Sequence, residues 1–284
     1  MNKHITLEQL DQFYEEGFVK LSNCLSKELL SKLNLFFDEV ISDANDSQKV
    51  TIQVDDKKFI TNIELLCYKN NLACLELLGT PFLLDIAHAI CGADFFAIQE
   101  FAVIKSLGDN LPVLWHQDMM HRRAGNCFTV GIYIDDANLE DGALRVIPKS
   151  HLSTKSICEL SKEAFIEVPM KAGDILVHDM MLAHSSEPLK KNEKRRVVYF
   201  EFLSAKQVET EAIYSKQLVA NRTNLLHVAS SYYKMQNPSL EQFDWQKENF
   251  NYYETEVEIR NALDEIYSIP IKAKPSNYCF EVPN

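Results

Sequence analysis

Long hydrophobic runs are missing from this chain. No stretch of its 284 residues approaches the ~18 uninterrupted apolar positions of a membrane-spanning helix. The opening MNKHITLEQLDQF has neither an apolar segment nor a small-residue cleavage site, so the expected compartment is the reducing cytoplasm. An excess of positive charge is lacking too. With 29 Lys+Arg against 41 Asp+Glu the net charge is −12, which makes a phosphate backbone or an anionic membrane a poor partner. The seven cysteines are odd in number, scattered and never in a C-x-x-C pair, which argues against a disulfide scaffold and a zinc ribbon. Internal repeats and low-complexity tracts are likewise absent. What remains is an ordinary globular composition, 46% apolar and 25% charged, in a chain long enough for a full core.

The first ~90 residues have helical periodicity. Thr6 and Gln9 form a capping-box signature ahead of Leu7, Leu10, Phe13 and Tyr14. Ser26 precedes a run carrying Leu29, Leu33, Phe36, Phe37 and Val40. The polar stretch 42–49 is expected as a loop, and Thr80-Pro81 opens a helix that Cys91-Gly92 closes. From Phe95 the period changes to two. FFAIQEFAVIKS puts Ala97, Gln99, Phe101, Val103 and Lys105 on one face, and FTVGIYID, GALRVI, GDILVHD and RRVVYFEF are further strands bounded by turn residues. Beyond about residue 205 the pattern is mostly helical, clearest over 252–267, before an extended proline-bearing tail. The expected organisation is one domain spanning 1–284. A helical frame (1–94) precedes a β-core (95–205), and a helical extension (206–284) follows whose aromatic residues either pack on the core or form a lid.

The chemistry concentrates between Trp115 and Arg196. His116-Gln117-Asp118 sets an imidazole and a carboxylate two positions apart, on one face of an extended strand. His184, just after the strand GDILVHD, offers a third ligand. Two histidines and one carboxylate leave coordination positions open, as in non-haem Fe(II) oxygenases. If 2-oxoglutarate occupies them, its far carboxylate needs an arginine and a hydroxyl. Arg195 and Arg196 both open the last strand, alternation does not choose between them, and Ser186 shares a face with His184.

The strings WHQD, DDANLEDGALRVIPKSH, AGDILVHDMMLAHSS and RR, in that order, resemble the phytanoyl-CoA dioxygenase family, including its ectoine hydroxylases, over about residues 5–205. The resemblance implies a mainly β, double-stranded β-helix (jelly-roll, cupin-like) core with α-helical flanks. It also implies Fe(II) as the metal, with 2-oxoglutarate and O2 as co-substrates. Position by position, His116, Asp118 and His184 match the iron ligands. Arg195, eleven residues after the distal histidine, matches the 2-oxoglutarate arginine, and Ser186 matches its hydroxyl partner. Gln99 falls where ectoine hydroxylases place a glutamine near the co-substrate; Thr129 is a weaker co-substrate candidate. Phe101, Tyr133 and His178 are expected in the substrate pocket, and His121 and His178 are alternative ligands. The chain departs from the family at Leu189, where Asn is common, near Gly131, where a tryptophan is common, and at Pro148-Lys149-Ser150-His151, where the family turn reads PGSH. Asp118 argues against halogenation, which needs a small residue there. The expected activity is hydroxylation of a small molecule, with desaturation, cyclisation or epimerisation as alternative outcomes. A cupin-like metal enzyme without 2-oxoglutarate, or a non-catalytic sensing domain, are the readings from other classes.

Overall fold

The computed structural model of the chain describes residues 4–43, 47–119, 126–205, 213–245, 250–271 and 276–280. The N-terminal caps form as their residue types dictate. Thr6 and Gln9 complete a capping box at α1 (Leu7–Glu16), and Ser26 caps α2 (Lys27–Ser42), whose apolar stripe is buried. Two further helices, α3 (Ala73–Leu78) and α4 (Pro81–Cys91), complete the frame; α4 starts at its proline and ends at Gly92, whose φ of 86° suits glycine. The frame is not wholly helical, which corrects the expectation for residues 1–94. Strand β1 (Phe18–Leu21) lies at a sheet edge, and β2 (Lys49–Val54) with β3 (Lys57–Glu64) forms a hairpin turning through Asp55 at φ 51°. Val50, Thr51, Ile52 and Val54 are β-formers, and the tertiary edge they pair with overrides the helical trend on either side.

The remaining strands are β4 (Phe95–Ser106), β5 (Val113–Gln117), β6 (Cys127–Tyr133), β7 (Leu144–Val146), β8 (Ile166–Val168), β9 (Ile175–Asp179), β10 (His184–Ser186), β11 (Lys194–Ser204) and β12 (Asn277–Tyr278). They build two antiparallel sheets, ordered β1-β9-β6-β11-β4-β3-β2 and β12-β5-β10-β7-β8. With α5 (Ile157–Leu160), α6 (Lys216–Gln236) and α7 (Glu256–Tyr267), this is the expected mainly β jelly-roll with helical flanks.

Alternation along β11 separates two environments. Val198, Phe200 and Phe202 join Leu33, Phe36, Leu75, Leu83 and Leu226 in the core under the helices. Val197 and Tyr199 face the smaller sheet, with Leu144 and Val146. The register of β4 against β11 shifts between Glu201 and Phe202, which face Gln99 and Ala97, so Ile98 is the extra residue of a bulge. Ala97 consequently sits in the helix-side core, not on the face of Gln99 and Phe101 where strict alternation puts it.

Several of the C-terminal aromatics pack on the core. Phe243, Trp245 and Tyr253 lie against the helical core, Trp245 stacked on Phe95 with ring centroids 5.7 Å apart. Cys158 and Cys279 form a disulfide, which the scattered cysteines did not announce; the other five form no disulfide. No helix among the described residues is long and apolar enough to cross a membrane.

Helices α3 and α6 meet at Gly79, where a Cβ would lie 2.0 Å from the Ala229 carbonyl oxygen. Backbone cannot yield as a flexible side-chain end can. Gly79→Ala is therefore expected to lower unfolding free energy by about 1–3 kcal/mol or more, measured by urea denaturation; an unchanged midpoint would refute this close approach.

Candidate metal centre and cavity

His116 on β5 and His184 on β10 stand directly opposite one another across an antiparallel pair. Their rings lie 4.0 Å apart, and the register then shifts before Ser186, which faces Val113 instead of Leu114. Asp118 follows β5. Its Oδ1 is 3.5 Å from His116 Nε2 and 3.6 Å from His184 Nε2, and one donor atom from each residue fits within a 4.8 Å span. Each imidazole is fixed from behind: Nδ1 lies 2.8 Å from the Leu114 carbonyl for His116, and 2.9 Å from the Leu182 carbonyl for His184. With Nδ1–H donated to a carbonyl, both Nε2 lone pairs point at Asp118, the tautomer a metal ligand needs.

The electrostatics favour the same forms. Burial, reinforced by His116, holds His184 well below the ordinary histidine range, so the ring is neutral at physiological pH. Burial works to raise Asp118, but His184, His116 and His178 together bring it below the usual carboxylate range. Two imidazoles with Nε2 turned inward and a carboxylate on one face match the donor chemistry of a facial-triad Fe(II) site.

The triad opens into a cavity of about 640 Å³, within the ~300–1,000 Å³ typical of small-molecule sites. Gln99, Phe101, Thr129, His178, Ser186 and Arg195 also line it. Arg195 is 1% exposed and donates through Nη1 to the Gly142 carbonyl. Its Nε, the Ser186 hydroxyl and the Tyr133 hydroxyl are all buried without a partner. An arginine and hydroxyls left unsatisfied in the interior cost free energy unless an anion completes them. Arg196 is on the opposite face, held by Asp135 at 2.7 Å and Asn34 at 2.6 Å, with its guanidinium over Phe37. Strand alternation thus assigns the two arginines to different tasks.

Two expected assignments change. Thr129 lines the cavity, but its hydroxyl donates to Asp118 Oδ2 at 2.8 Å, so it orients a carboxylate of the triad and is not free for a co-substrate. Tyr133 is fully buried behind the cavity, not on its wall, within electrostatic reach of Arg195. His178 is close to the triad, 3.9 Å from Asp118 Oδ2, with its ring 4.7 Å from that of His184. Phe101 stacks on Tyr199 at 5.3 Å, and the Tyr199 ring lies where a side chain at Gly131 would be, filling space that a tryptophan near that position would take. His121 lies outside the described residues.

Sequence reasoning missed Lys105, Glu201 and Tyr278. Lys105 lies opposite Arg195 in the sheet and donates to the carbonyls of Leu111, at 2.8 Å, and Ser186, at 3.3 Å. Burial and the neighbouring Arg195 lower it to about 7. Glu201 lines the cavity and accepts from Gln99 Nε2 at 2.7 Å. A lone lysine or glutamate at a face-sharing position of an apolar strand was the available signal.

Burial, with Asp118 adding to it, raises Glu201 to about 8. Between the unfolded carboxyl's ordinary value, about 4.3, and about 8, the folded state binds more protons than the unfolded one. Stability contributed by the neutral form is therefore lost as pH rises through that window. Glu201→Gln keeps an acceptor for Gln99 and stays neutral. Its melting temperature relative to the parent should rise between about pH 5 and about pH 8; a pH-independent difference would refute the assignment.

Residues 13–197 match the family model "Phytanoyl-CoA dioxygenase (PhyH)". A methylphosphonate hydroxylase of Gimesia maris is 24% identical over 227 residues, covering 71% of this chain and 82% of that protein. The crystal structure of EvdMO1 superposes with a TM-score of 0.64 at 26% identity over 70% of this chain, which spans only half of EvdMO1. EctD from S. alaskensis, solved with 2-oxoglutarate and 5-hydroxyectoine, superposes with a TM-score of 0.58 at 20% identity, covering 72% of this chain and 77% of that one. The matched segment carries the His-x-Asp pair, the distal histidine and the inward arginine, and the chain belongs to the phytanoyl-CoA dioxygenase (PhyH) family of non-haem iron(II), 2-oxoglutarate-dependent oxygenases.

Proposed function

We propose that the protein hydroxylates an unactivated C–H bond of a small molecule, a specialised metabolite, releasing succinate and CO2 from 2-oxoglutarate. His116, Asp118 and His184 hold the iron, while Arg195 and Ser186 hold the far carboxylate of 2-oxoglutarate. The observation that carries the reading is the buried Arg195, unpaired at Nε, and the unpaired Ser186 hydroxyl, both lining the same cavity as the triad. A carboxylate completes both. Bound iron with 2-oxoglutarate supplies the O2 activation that breaks the C–H bond. The chain's own residues orient and shield. Leu114 and Leu182 fix the imidazole tautomers, and Thr129 holds one oxygen of Asp118 so that the other faces the histidines. Phe101, Tyr199, Gln99 and Glu201 form the wall against which the substrate is positioned. Gln99 here touches Glu201, and is assigned to the substrate side of the cavity. Hydroxylation is favoured over the other oxidative outcomes by the methylphosphonate hydroxylase relative.

Anaerobic titration with Fe(II) and then 2-oxoglutarate is expected to give the weak visible charge-transfer band of the chelate. His184→Ala should abolish it, and Arg195→Ala should weaken 2-oxoglutarate binding at least ~10-fold, the loss of a charge-assisted bidentate contact. His116→Ala or Asp118→Ala should end both product formation and uncoupled 2-oxoglutarate turnover. A full band in Arg195→Ala would sink the co-substrate assignment.

Lys105 is charged below about pH 7 and neutral above it, so Arg195 has a second cation beside it only on the acid side. The dissociation constant for 2-oxoglutarate should therefore increase between about pH 6 and about pH 8, and Lys105→Met should flatten the profile. A parent profile already flat would remove Lys105 from this role.

A further inference from the structure

The family match ends at residue 197, yet one wall of the cavity comes from far beyond it. Tyr278, on the two-residue strand β12, lies opposite His116 in the register, and its ring stacks on the His116 imidazole at 4.7 Å with an interplanar angle of 11°. Ser276 and Tyr278 both line the cavity. The attachment of this strap is slight. Cys279 N–H donates to the Trp115 carbonyl at 2.9 Å, and Asn277 Nδ2 donates to Gln117 Oε1 at 3.2 Å. A strand of two residues is too short to hold itself in place. What fixes it is the disulfide from the next residue, Cys279, to Cys158 on α5, which with Ile147, Ile157, Leu160 and Ala183 makes a small apolar cluster.

We propose that Tyr278 is a positioning residue for His116, and that the Cys158–Cys279 disulfide keeps it over the metal centre, so the thiol–disulfide state of that pair sets the order of the site. The proposal rests on His116 as a metal ligand. With the disulfide formed, the phenol ring limits rotation of the imidazole about its Cα–Cβ bond and closes one side of the cavity. With the thiols free, the strap retains, among the described residues, its few hydrogen bonds, the stack and the packing of Cys279, and opens by local fraying. The exchange is chemically balanced with a low-molecular-weight disulfide such as oxidised glutathione. The partly buried Cys158, as thiolate, attacks one sulfur and expels a thiolate that takes up a proton; Cys279 then displaces the second thiol from the mixed disulfide. Two protein thiols are oxidised, one external disulfide is reduced, and the two protons leave on the released thiols.

The test uses the full chain, freed of metal, in its oxidised form and after reduction with a phosphine. Co(II) serves as the spectroscopic probe of the triad, and hydrogen exchange at the Cys279 amide reports the strap. Reduction, or Cys158→Ser, is expected to speed that exchange and to raise the Co(II) dissociation constant roughly three- to tenfold, the range of a lost aromatic stack. Tyr278→Ala should weaken Co(II) binding to the same degree and make it indifferent to reduction. Tyr278→Phe keeps the ring and should behave as the parent. Co(II) affinity unchanged in Tyr278→Ala, or equal in the oxidised and reduced parent, overturns the proposal. His116→Ala separates the two readings: if it binds Co(II) as tightly as the parent, the ligand assignment itself has failed, whatever the strap does. Melting curves of each variant confirm that the fold is kept.

Discussion

Everything at the centre depends on one antiparallel contact, the pairing of β5 with β10. It sets His116 directly across from His184, and the residue two positions before each histidine supplies the carbonyl that fixes the imidazole tautomer. The backbone therefore specifies both the place of each nitrogen and which nitrogen is free. The carboxylate needs separate care, because a buried Asp is costly. Thr129, from the opposite sheet, supplies a hydroxyl to one oxygen, and the surrounding imidazoles offset the burial of the other. The arrangement of the three-residue triad is thus a joint property of two sheets.

The second requirement is to bury positive charge without its usual counterion. Arg196 and Arg222 show how this chain ordinarily does so: one is paired with Asp135, the other with Glu100. Arg195 and Lys105, neighbours across β4 and β11, are treated differently and receive main-chain carbonyls. Dipoles can hold a cation in place but leave it able to accept an anion, whereas a carboxylate would neutralise it. Departure from the molecule's own habit is what supports the proposed anion-binding role of this corner.

The parts legible in the sequence are those written in local pattern. Capping residues located α1 and α2, the proline at its start located α4, and period-two alternation located the principal strands; the ordered motif string named His116, Asp118 and His184, which the fold brings together, and Arg195 and Ser186, which line the same cavity. What stayed hidden depends on partners distant along the chain. The β2–β3 hairpin is stabilised by the edge of β4 that it covers. Thr129 and Tyr133 differ in role because a hydroxyl's partner is set by the neighbouring strand, not by its own face. Cys158 and Cys279 are 121 residues apart, and nothing in either local context anticipates their meeting. The bulge at Ile98 likewise moved Ala97 to the other side of the sheet without leaving a glycine to mark it.

That bulge has a bearing on how the chain can vary. The single extra residue brings Gln99 level with Glu201 while β4 continues in register towards Lys105 and Arg195. Substitutions along β4 alter one wall position at a time. Loss or gain of one residue between Gln99 and Lys105 would instead send Phe101 and Val103 into the helical core and turn Ala102 and Ile104 towards the cavity. Diversification of this wall is thereby confined to exchange of side chains, and length changes are left to the loops outside the paired strands.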